Sequence, residues 1–327
     1  MFLDDIKFSL WADFIEREFL DKEFKELIDK GIINGATSNP AIFKNAILTS
    51  KAYQKQLNEL SGIKAKEKYE ELAIYDIKKA TDILYPLYKN GNDGFVSIEV
   101  DPNFAYSSKE TIKEAKRFWN KIDRENLMIK IPVTKDGIVA IKELVREGIN
   151  INATLIFDPE YARMCLDAFE EGVKNGNKRI YGVLSIFISR FDRKLDETLV
   201  KKGVERGKIG ILNGAKIYNI IQKRDLPNIR ALFASTGVKS SDYKPYYYIS
   251  ELIAPKSINT APIETIRSFV KSGSKTQRLP IRDEIIENFF KKIEDVGIDM
   301  QQVYDELLSE GLKAFVDAFD DILKELE

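Results

Sequence analysis

The stretch Leu127-Met128-Ile129-Lys130-Ile131-Pro132-Val133 places one lysine inside an otherwise apolar run. Alternate side chains of a strand face opposite ways. Leu127, Ile129, Ile131 and Val133 therefore share a face suited to packing beneath helices, and Lys130 falls on the other. Comparable apolar, β-branched runs occur at 7–12, 32–37, 94–100, 149–157, 180–188, 230–235 and 247–253. Counted with 127–133, they predict eight strands.

Amphipathic patterns lie between these runs, for example at 107–121, 136–147, 159–174 and 191–203. The third opens on Asp158-Pro159, an N-cap residue followed by proline in the first turn. Strands alternating with helices predict a parallel sheet with right-handed crossovers, and eight is the number that closes a barrel. The expected fold class is α/β, a single (β/α)8 barrel domain spanning 1–327. Two regions exceed the minimal pattern. Residues 41–90 read as helical throughout, and 281–327 as a helical tail packed on the barrel. A doubly wound open sheet is the alternative, but no Gly-x-Gly-x-x-Gly or P-loop pattern follows the first strand.

Composition narrows the function. A hydrophobic share of 44% with 31% charged residues is a globular balance that can fill a core. The 51 basic and 52 acidic residues are spread along the chain, so no basic face for nucleic acid is implied. No apolar run approaches the roughly 18–20 residues that span a bilayer. The opening MFLDDIKFSLWADF carries acids where a signal peptide needs basic residues. The one cysteine, Cys165, allows no internal disulfide, which fits a reducing compartment. A cytoplasmic monomer or homodimer is expected, with no nucleic-acid or membrane partner. There are no histidines, so proton transfer falls to carboxylates, lysine, tyrosine or water. A transition metal would lack its usual imidazole and thiolate ligands, while Mg²⁺ on carboxylates stays open.

The alternation read at Lys130 extends to other runs. Val96, Ile98 and Val100 leave Glu99 inward. Ile151, Ala153, Leu155 and Phe157 leave Asn152 and Thr154 inward. Leu184, Ile186 and Ile188 leave Ser185 inward, and Phe8, Leu10 and Ala12 leave Asp13 inward just past the first strand. Thr37 and Asn39 share one side at the exit of the second. Polar groups thus gather toward the C-terminal ends of the strands, where barrel enzymes build their sites. Desolvated charges are usually paired or functional. Burial lowers an amine's pKa, by up to about 3–5 in the extreme, and a neutral lysine can attack a carbonyl to form an iminium. Dehydration then needs an acid and carbon–carbon cleavage a base, roles that Glu99 and Asp13 could fill. A structural ion pair of Lys130 with either acid would use the same neighbours.

These segments resemble the transaldolase family in its longer form. The resemblance covers nearly the whole chain. It rests on Leu10-Trp11-Ala12-Asp13, Ala36-Thr37-Ser38-Asn39-Pro40-Ala41-Ile42-Phe43, Ser97-Ile98-Glu99-Val100-Asp101-Pro102, Ile129-Lys130-Ile131-Pro132 and 149–157. Later matches are Ser185-Ile186-Phe187-Ile188-Ser189-Arg190, Ala234-Ser235-Thr236-Gly237-Val238-Lys239, Glu251-Leu252-Ile253-Ala254-Pro255 and Asn259-Thr260-Ala261-Pro262. The resemblance implies a (β/α)8 barrel that needs no metal and no cofactor. It implies transfer of a dihydroxyacetone unit between sugar phosphates, in the non-oxidative pentose phosphate pathway. Residue by residue, it makes Lys130 the Schiff-base lysine and Asp13 the acid/base for the C4 hydroxyl. Glu99 and Thr154 would hold a catalytic water, with Thr37 nearby. Asn39, Asn152 and Ser185 would bind the dihydroxyacetone hydroxyls, and Arg190, Ser235 and Lys239 the phosphate. The short-form family has an arginine two residues after the phosphate serine. Here that position is Gly237 and the basic residue is Lys239, so the second phosphate ligand is left open.

A Schiff-base lyase of the fructose 6-phosphate aldolase type is the alternative. The small aldolases resemble this chain but carry an amide where Glu99 stands, so the carboxylate favours transfer. A barrel without chemistry, serving as a scaffold, would not need inward Lys130, Asp13 and Glu99. A metal-dependent aldolase is disfavoured by the absence of histidine. The apolar stripe Leu312, Phe315, Val316, Phe319, Ile322 and Leu323 in the tail has helical spacing and is expected to pack rather than touch substrate.

Overall fold

The computed structural model describes residues 1–176 and 179–327. Eight strands run parallel and close into a barrel in chain order. They are β1 Ser9–Ala12, β2 Gly35–Thr37, β3 Val96–Glu99, β4 Leu127–Pro132, β5 Ile151–Ile156, β6 Gly182–Phe187, β7 Ile229–Ala234 and β8 Ser257–Ala261. β8 pairs back onto β1 with Ser9 beside Ile258 and Ala12 beside Ala261. Closure leaves no strand edge unpaired.

The alternation in the sequence becomes two apolar layers. Leu10, Ala12, Ile98, Ile129, Ile131, Leu184 and Ile186 face outward and pack with the surrounding helices. Trp11, Met128, Val183, Leu232 and Ile258 fill the lower interior. Each fully buried side chain of this kind stabilises by roughly 1.5–3 kcal/mol. The indole of Trp11 fits because β2 begins with Gly35, where a Cβ would lie 2.6 Å from the ring. Trp11 Nε1 donates to Asp93 Oδ2 at 3.0 Å, and Asp93 pairs with Arg230 at 2.5 Å. These groups meet at the lower mouth of the barrel.

Three departures from expectation concern the site. The run 247–253 is not a strand: Tyr247–Glu251 is a short helix. Its aromatic residues, which suggested β structure, pack on one another, with Tyr243 stacked on Tyr247 at 4.9 Å. The true eighth strand, Ser257–Ala261, escaped notice because its outer face is small and polar. Asn259 there accepts a hydrogen bond from Thr236 at 2.8 Å. In β5 the pairing with β6 shifts between Ala153 and Ile156, and Leu155 adopts φ +60°. This bulge reverses the alternation. Leu155 and Phe157 join the interior layer, and Ile156 takes the outward position.

The region 41–90 is helical in pieces, Pro40–Thr49, Gln54–Glu59 and Ala65–Lys89, with a 3₁₀ turn at Lys51–Tyr53. The tail forms two helices, Asp283–Asp295 and Met300–Glu325. The second is capped by Asp299, whose Oδ1 accepts from Gln301 N at 2.9 Å. It lies over the C-terminal mouth of the barrel, against Pro40–Thr49, Ala65–Lys89 and β5. No helix among the described residues is long and apolar enough to cross a membrane.

Candidate active site

Adjacent strands bring the inward polar groups together. Register places Lys130 beside Glu99 of β3 and beside Asn152 of β5. Lys130 Nζ lies 3.2 Å from Glu99 Oε2 and donates to the carbonyl of Ser38 at 3.1 Å. Both residues are buried. Neither oxygen of Glu99 accepts a well-formed hydrogen bond from a described residue, and the buried hydroxyl of Thr154 is likewise unpartnered. These orphaned atoms sit on the strands either side of the lysine, an arrangement that suits a bound water. Burial pushes the Glu99 carboxyl up to about 7, against the opposing charge of Lys130.

Asp13 follows β1 at the rim. Burial raises its pKa, while the charge of Lys130 and a hydrogen bond from Thr37 oppose the rise. Thr37 Oγ1 donates to Asp13 Oδ1 at 2.6 Å and lies 2.7 Å from Thr260 Oγ1. Asn39 caps the helix Pro40–Thr49, its Oδ1 accepting from Ile42 N at 3.1 Å, which leaves its amide N–H groups for a ligand. Ser185 Oγ donates to Asn152 Oδ1 at 2.6 Å, and Asn152 Nδ2 donates to Ser97 Oγ at 2.9 Å. This chain fixes the orientation of the Asn152 amide.

Asp13, Thr37, Asn39, Lys130, Ser185, Arg190 and Ser235 line one cavity of about 130 Å³. Glu99, Asn152 and Thr154 do not line it; Glu99 and Asn152 flank Lys130 on the neighbouring strands, and Thr154 follows two residues after Asn152. Lys239 does not reach the cavity either. That residue is exposed and lines a wider outer cavity of about 630 Å³, which shares Asp13, Arg190 and Ser235 with the inner one. Arg190 follows β6 at the junction of the two. Burial holds its guanidinium down at about 10, helped by the neighbouring charge of Arg193. Its guanidinium carbon lies 5.2 Å from the Phe187 ring centroid. Ser189 Oγ and Ser235 Oγ are 3.1 Å apart.

Several residues that line or support the site escaped the sequence reading. Ser97 shares the inward face with Glu99, so strict alternation would have found it. Thr260 was hidden with the misplaced eighth strand. Arg193 lies one helical turn beyond Arg190 and joins it at the outer cavity. Phe315 had no distinguishing signal, because its apolar stripe has the spacing of any packed helix. Leu312, Phe319 and Ile322 do pack as expected, and all three are buried. Phe315 also lines the lysine cavity. The opposite mouth of the barrel holds another cavity of about 290 Å³. It exceeds the lysine cavity in size, yet its Asp93 and Arg230 are already paired with each other.

A buried lysine–carboxylate pair at a pocket in the C-terminal mouth of a (β/α)8 barrel, opening outward onto basic side chains, defines an enzyme of the aldolase class that handles anionic carbonyl compounds. The chain belongs to the transaldolase/fructose-6-phosphate aldolase family, whose pattern matches residues 10–326. It is 47% identical to a Campylobacter jejuni (strain 81-176) protein named Transaldolase, over 98% of this chain and 99% of that one. A Helicobacter pylori (strain Shi470) protein of the same name is 41% identical, over 97% and 98% of the two chains.

Proposed function

We propose that this protein is a transaldolase, moving a dihydroxyacetone unit from a ketose phosphate to an aldose phosphate through a Schiff base on Lys130. Sedoheptulose 7-phosphate or fructose 6-phosphate would be the donor, and glyceraldehyde 3-phosphate or erythrose 4-phosphate the acceptor, as in the non-oxidative pentose phosphate pathway. The observation that carries the reading is Lys130 Nζ 3.2 Å from a buried Glu99, in one pocket with Asp13. The barrel and its tail act as one catalytic unit, in a cytoplasmic setting, and the chemistry runs on side chains alone.

The amine of Lys130 attacks the ketone carbon of the donor. Glu99, with a carboxyl near 7, donates a proton to the departing carbinolamine hydroxyl, and an iminium forms. A water held by Glu99 and Thr154 relays that proton. Asp13, positioned by Thr37, takes the proton of the C4 hydroxyl. The C3–C4 bond then breaks, its electrons flow to the iminium nitrogen, and an aldehyde leaves. Asn39, Asn152 and Ser185 hold the remaining enamine in place. The enamine attacks the acceptor aldehyde, and the early steps run in reverse. Arg190 and Ser235 take the phosphate, with Arg193 and Lys239 at the outer wall. A guanidinium fork matches a phosphate by paired, charge-assisted hydrogen bonds.

Borohydride trapping tests this. The protein is incubated with fructose 6-phosphate, reduced, digested and mapped by mass spectrometry. A three-carbon adduct on Lys130, absent in Lys130→Ala, is expected. No adduct on the folded protein, or one on another lysine, overturns the assignment. Formation of sedoheptulose 7-phosphate when erythrose 4-phosphate is added separates a transferase from a lyase.

A further inference from the structure

Three apolar side chains, Phe187, Ala234 and Phe315, interrupt the polar lining of the lysine cavity. Phe187 and Ala234 end barrel strands. Phe315 comes from the C-terminal helix, far away in the chain. It is 6% exposed, and its ring centroid lies 5.4 Å from Lys130 Nζ.

The helix is held firmly enough for this placement to be specific. One turn before Phe315 stands Gly311, where a Cβ would lie 2.9 Å from both Arg190 Nη1 and Leu155 Cδ2. The backbone therefore approaches the barrel mouth as closely as a glycine allows. Lys194 pairs with Glu310 at 2.6 Å and with Glu306 at 2.8 Å. Lys44 pairs with Asp321 at 2.6 Å on the far side of the ring. Phe315 is thus fixed from both directions.

We propose that Phe315 is a specificity-determining residue that shields the lysine-bound enamine from water and so sets the balance between transfer and release. The inference rests on the Schiff-base reading above. Release begins when the enamine carbon takes a proton and becomes an iminium. Water then adds to the iminium carbon and loses a proton to a carboxylate. The carbon–nitrogen bond breaks, its electron pair returns to Lys130 with a proton, and free dihydroxyacetone departs. Transfer uses the same enamine carbon to attack an aldehyde, whose oxygen takes the proton. The two routes diverge at one intermediate, and unscheduled water favours the first. A ring over the amine fills space through which solvent would reach that intermediate, and an apolar wall offers water no hydrogen bond.

The test compares full-length wild type, Phe315→Leu, Phe315→Val and Phe315→Ala, each given fructose 6-phosphate with and without erythrose 4-phosphate. Free dihydroxyacetone reports release and sedoheptulose 7-phosphate reports transfer. In Phe315→Ala the ratio of release to transfer should rise about tenfold, equivalent to about 1.4 kcal/mol of differential barrier. Phe315→Leu, which keeps an apolar cover, should stay within about twofold of wild type on the same scale. If Phe315→Ala does not fold, Phe315→Val carries the test, and its ratio must exceed that of Phe315→Leu. An unchanged ratio, with the borohydride adduct still on Lys130, overturns the shielding role and leaves the Schiff base intact. Absence of that adduct in wild type overturns the underlying reading instead.

Discussion

Lys130 and Glu99 expose only 6% and 2% of their side chains and lie 3.2 Å apart. Taking two ions out of water carries a penalty of several kcal/mol each, so a buried pair is a weak way to stabilise a fold. The outward-facing isoleucines and leucines of the same strands hold the barrel together without it. The proposed chemistry gives the pair a purpose, and its acid would carry a pH signature. On the proposed mechanism Glu99 acts as an acid in its protonated form, and burial pushes its carboxyl up to about 7. The single-turnover rate of iminium formation should therefore fall as pH rises through about 7. In Glu99→Gln that fall should vanish and the rate should drop by about 10²–10⁴. A limb that persists in the variant would place the titration elsewhere. On the same proposal Asp13 serves a later step. Asp13→Ala should still give the reduced adduct with dihydroxyacetone or fructose 6-phosphate, while carbon–carbon cleavage slows by about 10²–10⁴. Loss of the adduct itself would put Asp13 in the wrong role.

Among the elements, the C-terminal helix Met300–Glu325 joins the site to the tail. Gly311 in its interior is costly by itself, since glycine is about 1 kcal/mol worse than alanine in a helix. Its value lies in the close approach to Arg190 and Leu155. In Gly311→Ala the new methyl meets the ends of two flexible side chains, which can move aside. The gain in helix propensity roughly offsets that strain, so stability should change by less than about 1 kcal/mol. The displaced group is the guanidinium at the junction of the two cavities, so KM for phosphorylated sugars should rise. Calorimetry and steady-state kinetics on one preparation check both parts. A large loss of stability with unchanged KM would mean that the helix, and not Arg190, gives way.

At the scale of the whole molecule, several carboxyls are buried and shifted in one direction. Burial pushes Asp192 up to about 7, as it does Glu99, and raises Asp13, Asp76 and Glu114. For such groups the folded state keeps protons that the unfolded chain has lost above its ordinary carboxylate pKa of about 4. Their stabilising effect is complete below that value and is lost as pH rises through the folded pKa. The melting temperature should therefore fall between about pH 4 and pH 7, a window set by these shifts. Asp192 allows the test to be made away from the lysine pocket. It is 1% exposed, and its Oδ1 accepts from Gly210 N at 3.1 Å, a bond that an asparagine oxygen can keep. Asp192→Asn should flatten the fall in melting temperature. An equally steep profile in the variant would show that Asp192 does not titrate in this range.

The sequence by itself determined what depends on local periodicity and side-chain chemistry. Alternation at 127–133 requires a strand with one face for helices and one for a lysine. The same period placed Glu99, Asn152, Ser185 and Asp13 inward, and the absence of histidine left proton transfer to carboxylates. Those features follow from the geometry of an extended chain, in which every second residue shares a face. Where that period breaks, the local signal fails. The bulge at Leu155 turned Leu155 and Phe157 inward, and the polar outer face of Ser257–Ala261 concealed a strand. Tertiary structure alone decided that Lys239 stands outside the lysine pocket, that Arg193 joins Arg190, and that Phe315 covers Lys130. Each of these depends on how distant segments meet, and a helix turns the same apolar stripe to a core or to a substrate cavity. Only the packing of the C-terminal helix over the barrel mouth, made close by a glycine against an arginine, distinguishes the two.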